Sequence, residues 1–253
     1  KVTTTTPKDR VVALGRQLYL TTAVLRECAD HATPRQCDIL IELFEAELES
    51  RSASRARRLM HRARVPVRKT LDSYDWSPVS LPADITREHL TTLDFLNGCE
   101  DLVFYGDVGT GKTHLAIALV TQACLHGIPA RFFTAAGLVD HLRNAKHAGK
   151  LDKELASLGK NELLVIDELG YIPVEADAAN LFFQLVSRRY EHGSIIVTSN
   201  LAFSQWAQCF GDVTVATAMV DRIVHHAKIF QHRGVSHRIK GRELTTPQTN
   251  QAQ

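Results

Sequence analysis

Residues 106–113 read Gly106-Asp107-Val108-Gly109-Thr110-Gly111-Lys112-Thr113, the spacing GxxxxGK[ST]. Glycines at this spacing let backbone N–H groups close around phosphate oxygens, and a helix that starts at the loop adds positive potential. Lys112 then reaches the β- and γ-phosphates, and the Thr113 hydroxyl is placed to ligate Mg2+. With His114 directly after it, the expected nucleotide-binding set is Gly106, Asp107, Val108, Gly109, Thr110, Gly111, Lys112, Thr113 and His114. Further along, the apolar run Leu163–Ile166 ends in Asp167-Glu168. Asp167 can hold the metal, and Glu168 can polarise an attacking water as general base. A second apolar run, Ile195–Val197, leads into Thr198-Ser199-Asn200. Asn200 can orient the water, or simply cap the next helix. Arg222 follows Asp221 on a later helical stretch. It can reach a neighbouring subunit's nucleotide, or make an ordinary surface pair with an acid. The catalytic candidates are thus Lys112, Glu168, Asn200 and Arg222, the metal ligands Thr113 and Asp167, and the cofactors ATP and Mg2+.

These groups work only if elements deliver them to one place. Short apolar runs at Leu102–Tyr105, Ala130–Phe133, Leu163–Ile166 and Ile195–Thr198 read as strands buried on both faces. Helical patterns over 112–126, 135–148 and 176–191 separate them, which predicts a parallel sheet sandwiched by helices. A strand ending at Asn200 and lying between those of the P-loop and Asp167 would bring all three together. Phe203–Phe210 and Thr214–His225 read as helical, and 228–239 as a last pair of strands.

Upstream, residues 1–10 are polar and read as a tail. From Val11 to Arg64 the apolar positions Leu14, Leu18, Leu25, Ile39, Leu40, Leu43, Phe44 and Leu48 recur at helical spacing. Thr33-Pro34 marks a helix start and Pro66 a stop. The predicted organisation is a helical region over 1–65, a linker over 66–97 that packs on the next domain, an α/β domain over 98–241, and a polar tail over 242–253. Leu71, Tyr74 and Trp76 are too apolar for a free linker.

The chain has 253 residues and a net charge of only +2, but the charge is segregated. Residues 38–50 carry acids and no base; residues 51–70 carry Arg51, Arg55, Arg57, Arg58, Arg62, Arg64, Arg68 and Lys69 and no acid. One-sign positive stretches are the footprint of a polyanion partner, the plainer alternative for 51–70 being a solvated basic helix face. A second acid-free stretch over 222–242 holds His225, His226, His232 and His237, whose spacing fits no metal motif. The five cysteines form no CxxC pair, which disfavours a disulfide framework or zinc site and fits a reducing cytoplasm. No apolar run reaches the roughly 18 residues of a membrane helix.

Four stretches carry a resemblance: Gly111-Lys112-Thr113-His114-Leu115-Ala116, Leu164–Tyr171, Arg189-Tyr190-Glu191 with Thr198-Ser199-Asn200, and Asp221–His226. From Tyr19 to Lys240 the chain resembles IstB-like AAA+ ATPases of the IstB/DnaC group, the helpers of bacterial insertion-sequence transposons. The resemblance implies Walker A at Lys112, Walker B at Asp167-Glu168, sensor 1 at Asn200 and an arginine finger at Arg222. It implies homo-oligomers with ATP sites at subunit interfaces, assembly on double-stranded DNA, and delivery of that DNA to a partner transposase. It implies an N-terminal region that binds DNA or the partner, where Arg51, Arg55, Arg57, Arg58, Arg62, Arg64 and Lys69 lie. Arg143, Lys146 and Lys150 occupy the place of a helix that faces DNA in this clade. No C-terminal lid domain is expected. Asp107-Val108 stands where relatives often have Pro-Pro, a change expected to be tolerated because those side chains point away from the phosphates. A DnaC-type replicative helicase loader shares the same motor and is the alternative reading. A small-molecule kinase would need a lid and an acceptor site, and neither is visible.

Overall fold

A computed structural model describes residues 6–171, 175–206, 209–210, 213–225, 227–234 and 236. The chain divides into two compact units, Lys1–Arg58 and Leu59–Gln253.

The first unit contains α1 (Pro7–Gln17), α2 (Thr22–His31) and most of α3 (Pro34–Ala63). The first helix starts earlier than the polar composition suggested. Thr6 accepts the Asp9 N–H and the Asp9 carboxylate accepts the Thr6 N–H, a reciprocal cap with Pro7 in the first turn. The start of α3 is as expected from Thr33-Pro34, with Gln36 completing the same kind of box. Val11, Leu18, Leu25, Ala29, Cys37, Ile41 and Phe44 close a small core. Ile39 and Leu43, expected inside, stay 56% and 58% exposed. On α3, Arg51, Arg55 and Arg58 fall at intervals of four and three residues, so they share one helix face. All three are exposed, and Arg51 also donates to Glu47 at 2.7 Å. The helix ends at Ala63, with Arg64 in the left-handed region.

The second unit is built on a sheet. Its elements are β1 (Val79–Ser80), α4 (Arg87–Thr91), a 3-10 turn at Asp94–Leu96, β2 (Asp101–Gly106), α5 (Lys112–Leu125), β3 (Ala130–Thr134), α6 (Ala135–His147), α7 (Leu151–Gly159), β4 (Leu163–Leu169), α8 (Ala176–Arg189), β5 (Ser194–Ser199), α9 (Phe203–Trp206), α10 (Val213–His225) and β6 (Ala227–His232). The strand order is β1-β6-β2-β5-β4-β3, parallel throughout except for β1, which runs antiparallel at one edge. Alternate strand residues enter opposite cores. Val103, Leu164, Ile166, Ile195 and Val197 pack with α6, α7, α8 and α10. Leu102, Phe104, Leu163, Val165 and Ile196 pack with α5 and the 66–97 segment. Every one of them is buried, at about 1.5–3 kcal/mol each, so the two-faced apolar pattern accounts for the sandwich.

Tyr74 is buried in that second core, with Leu71 and Trp76 packed partly against it, as their apolar character required. The expected pair of strands over 228–239 is one strand, β6, among the described residues; its antiparallel neighbour comes from the linker as β1. Helix α7 has no counterpart among the elements expected from sequence. After Asn200, α10 packs on α8 and β6 pairs with β2, so no separate helical lid stands among the described residues.

At the strands' N-terminal ends, away from the P-loop, the buried Arg189 donates to the carbonyls of Leu158, Asn161, Glu162 and Ser194. Burial pulls its pKa down to about 10. Nearby, Asp101 accepts the Ile195 N–H at 2.6 Å and is pushed up to about 7 by burial.

Candidate nucleotide site

Strand β2 ends at Gly106 with φ +128°, and a Cβ there would lie 2.0 Å from the His232 carbonyl oxygen. Only glycine lets the chain leave the sheet so close to β6. Gly111 (φ +94°) then caps α5, whose first residue is Lys112. Within the loop, the Thr110 hydroxyl donates to Asp107 O at 2.7 Å. Lys112 Nζ donates to the carbonyls of Gly106 and Asp107 at 2.8 and 2.6 Å, which keeps the ammonium folded over the loop. The loop is braced from behind. Asp107 N–H donates to His232 O at 3.0 Å, and Gly234 N–H donates to the Asp107 carboxylate at 3.2 Å. Asp107 therefore points away from the cleft as expected. Val108 does not: it lines the cleft and is 51% exposed.

Strand β5 lies between β2 and β4, which brings the second half of the site against the first. Asp167 is buried, and its Oδ1 accepts from Thr113 Oγ1 at 2.9 Å and from the Thr198 hydroxyl. Burial raises its pKa above the usual carboxylate range, against the hydrogen bonds from Thr198 and Thr113 and the charge of Lys112. Beyond it the ladder slips. Ile166 faces Val197 and Leu169 faces Ser199, so β4 carries one extra residue and bulges. Glu168 sits in that bulge with φ +62°, and its N–H donates to Thr198 Oγ1 at 3.0 Å. A left-handed glutamate is an uncommon conformation. Here it turns the second acid out of the alternating strand pattern and into the cleft. Thr198 thus serves both acids, donating to one and receiving from the other's backbone. Its signal in the sequence is a hydroxyl in an otherwise apolar strand, a fainter mark than the Asn200 that ends the same run.

The cleft has a volume of about 440 Å³. Gly109, Gly111, Lys112 and Thr113 form its floor, and Glu168, Thr198, Ser199 and Asn200 one wall. Four of the six catalytic and metal candidates expected from sequence, Lys112, Thr113, Glu168 and Asn200, therefore meet in one cavity, with Asp167 hydrogen-bonded beneath it. The two oxygens aimed at each other, Thr113 Oγ1 and Asp167 Oδ1, are hard donors of the kind Mg2+ takes alongside phosphate and water. No group of three or more His, Cys, Asp or Glu gathers into a metal site among the described residues. A cation held by two protein oxygens and the nucleotide fits that arrangement.

Arg222 does not line the cleft of its own chain. It lies over the Phe183 ring at 4.6 Å and hydrogen-bonds Ser187 on α8. Arg143 is paired with Glu175 at 2.5 Å and Asp177 at 2.9 Å, whereas Lys146 and Lys150 are exposed. Arg57, Arg62 and Arg64 are exposed; Lys69 is half-buried and lines the cleft, away from its expected grouping. His232 is buried and His225 lies 3.3 Å from the Tyr190 hydroxyl; His226 and His237 fall outside the described residues.

The family model described as IstB-like ATP binding protein matches residues 17–245. The chain belongs to the IstB-like ATP-binding family. Among its relatives, the ATP-binding protein of insertion sequence IS5376 from Geobacillus stearothermophilus is 39% identical over 242 residues, covering 94% of this chain and 96% of that one. The ATP-binding protein of insertion sequence IS21 from Pseudomonas aeruginosa is 39% identical over 182 residues, 72% and 68% of the two chains. Solved structures share the AAA+ fold. The DnaC helicase loader superposes with a TM-score of 0.52 at 23% identity, over 65% of this chain and 96% of that one. DnaA from Aquifex aeolicus, bound to AMPPCP, superposes with a TM-score of 0.53 at 19% identity, over 68% and 52%. The chain is thus an IstB-like ATP-binding protein built on an AAA+ sheet, and the strand order explains why its motifs converge on one cleft.

Proposed function

We propose that this IstB-like protein hydrolyses ATP, assembles on duplex DNA and recruits or activates a partner transposase. The bulge at Glu168 carries the hydrolytic part. It puts a carboxylate in the cleft while the adjacent Asp167 stays buried against Thr113. In this reading Lys112 gives up its loop carbonyls to bind the β- and γ-phosphates. Thr113 and Asp167 would hold Mg2+, which when bound neutralises phosphate charge. Asn200 orients a water, and Glu168 takes its proton as the oxygen attacks the γ-phosphorus and the bond to ADP breaks. Binding of ATP should survive Glu168→Gln while turnover falls by a factor of about 100 or more. Unchanged turnover in a steady-state phosphate-release assay would remove the general-base assignment.

Arg222 completes the site from a neighbouring subunit. Its place on α10, packed against α8 and outside its own cleft, supports a role in trans. The Arg51, Arg55 and Arg58 face and the exposed Arg57, Arg62, Arg64, Lys146 and Lys150 support contact with DNA phosphates. The family's insertion-sequence relatives support the transposase as the partner. In the first unit an apolar groove between α2 and α3, edged by the exposed Val24 and Ile39, supports a protein contact there. No helix among the described residues is long and apolar enough to cross a membrane. The free cysteines support a reducing, cytoplasmic site of action. A clear preference for single-stranded over duplex DNA would move the reading to a helicase loader.

A further inference from the structure

We infer that Lys69 is a ligand of the nucleotide and not of DNA, forming with Pro66 and Val67 the wall that receives the part of ATP beyond its β-phosphate. The inference rests on the cleft being the ATP site.

The cleft has two ends. Floor and one wall are accounted for by groups that take phosphate, metal and water. Besides the exposed Tyr171, three residues on from Glu168, the remaining lining is Pro66, Val67, Lys69, His114 and Ile117, with the half-exposed Val108. That side is apolar except for His114 and Lys69, which suits a sugar and a base face rather than phosphate. With the γ-phosphate end fixed by Glu168 and Asn200, the sugar and base have this side to occupy.

The segment is held firmly. His114 Nε2 lies 3.3 Å from Thr70 O, one residue from Lys69. The Tyr74 ring packs edge-on against His114 (5.2 Å) and Trp76 (5.0 Å). A Cβ on Gly111 would come within 3.2 Å of the same tyrosine ring. The linker is therefore seated directly on the P-loop helix, and Lys69 is delivered to the cleft by the same packing. By contrast Arg62, Arg64 and Arg68, its neighbours in the basic run, are exposed. A half-buried ammonium beside a polyanion site gains most from a charged ligand, and the α-phosphate is the nearest anion beyond those Lys112 serves. Because ADP and ATP share that phosphate, Lys69 should not distinguish them.

Calorimetric titration of the full chain with ADP and with AMPPCP tests this. Lys69→Met, which keeps the apolar stem, should weaken both ligands about 10-fold or more, and Lys69→Arg should restore them to within about threefold. KM for ATP should rise with kcat little changed. Without nucleotide, the salt dependence of duplex binding should be unaltered. Unchanged nucleotide affinity in Lys69→Met would overturn the inference. If the salt slope then fell by about one, Lys69 would be a phosphate contact on DNA. Lys112→Ala separates the two levels. If wild type binds nucleotide, Lys112→Ala loses it and Lys69→Met does not, only Lys69 has been misassigned. If wild type binds neither ligand, the ATP reading itself fails.

Discussion

Thr198 ties together the two acids of β4. Its hydroxyl donates to Asp167 and accepts the backbone N–H of Glu168. Thr198→Val keeps the shape and removes both bonds. It should destabilise the chain by about 1–3 kcal/mol, because a buried carboxylate and a strained backbone each lose a partner. Turnover should fall further than nucleotide affinity, checked by comparing kcat with an ADP titration. A fall in affinity alone would mean the hydroxyl does not position Glu168. Gly106→Ala adds a methyl where the His232 carbonyl stands, on a backbone with φ +128°. The variant should lose nucleotide binding and drop in unfolding midpoint. The P-loop, Asp167 and Glu168 were legible in the sequence because backbone-dictated glycines and acids at strand ends have few other reasons to occur together. Thr198 and Lys69 were not. Threonine is a common strand residue, and a lysine at the end of a basic run looks like its neighbours until the fold sends it elsewhere.

At the scale of elements, two buried groups act oppositely on the stability of the sheet as pH changes. Asp101, at the start of β2, has its pKa pushed up to about 7. Above the ordinary carboxylate value of 3.8 the unfolded chain sheds that proton and the folded chain keeps it, so stability falls as pH rises from about 4 to about 7. His232, at the end of β6, is lowered to about 4 by burial. Between there and its ordinary 6.5 the unfolded chain binds a proton that the folded chain does not, so stability rises with pH over that window. Asp101→Asn removes the falling part. Its unfolding free energy from urea titration should climb with pH more steeply than wild type, by on the order of 1 kcal/mol per pH unit. His232→Asn should tilt the curve the other way. A parallel pair of curves for wild type and Asp101→Asn would place Asp101 outside this account. The strands themselves were readable, since runs such as Leu163–Ile166 are apolar on both faces and can only be central. Strand β1 was not, being two residues long and ordered by pairing with β6 rather than by its own pattern. Helix α7 escaped because its two buried leucines, Leu155 and Leu158, are too few to set a period.

Arg222→Ala should fold and bind ATP yet hydrolyse it poorly. Mixing it with the Glu168→Gln protein should regain part of the activity, because some interfaces then pair an intact arginine with an intact glutamate. No recovery at any ratio would argue against a shared site. Duplex binding should be insensitive to sequence and weaken steeply with salt, since phosphate contacts dominate. Removing Arg51, Arg55 and Arg58 together should lower the slope of log affinity on log salt by about three. A slope left unchanged would assign that helix face to something other than DNA. One property of the sheet reaches back to synthesis. Strand β2, which carries the P-loop, is flanked by β5 and β6, both made much later in the chain. On the ribosome it emerges with neither neighbour present. Until residue 199 and then residue 232 have been translated, the glycine loop has no backing and the acids no partner. A nascent chain should therefore be unable to hold nucleotide through most of its elongation, and capture of ATP should mark the point at which the last strand has closed the sheet.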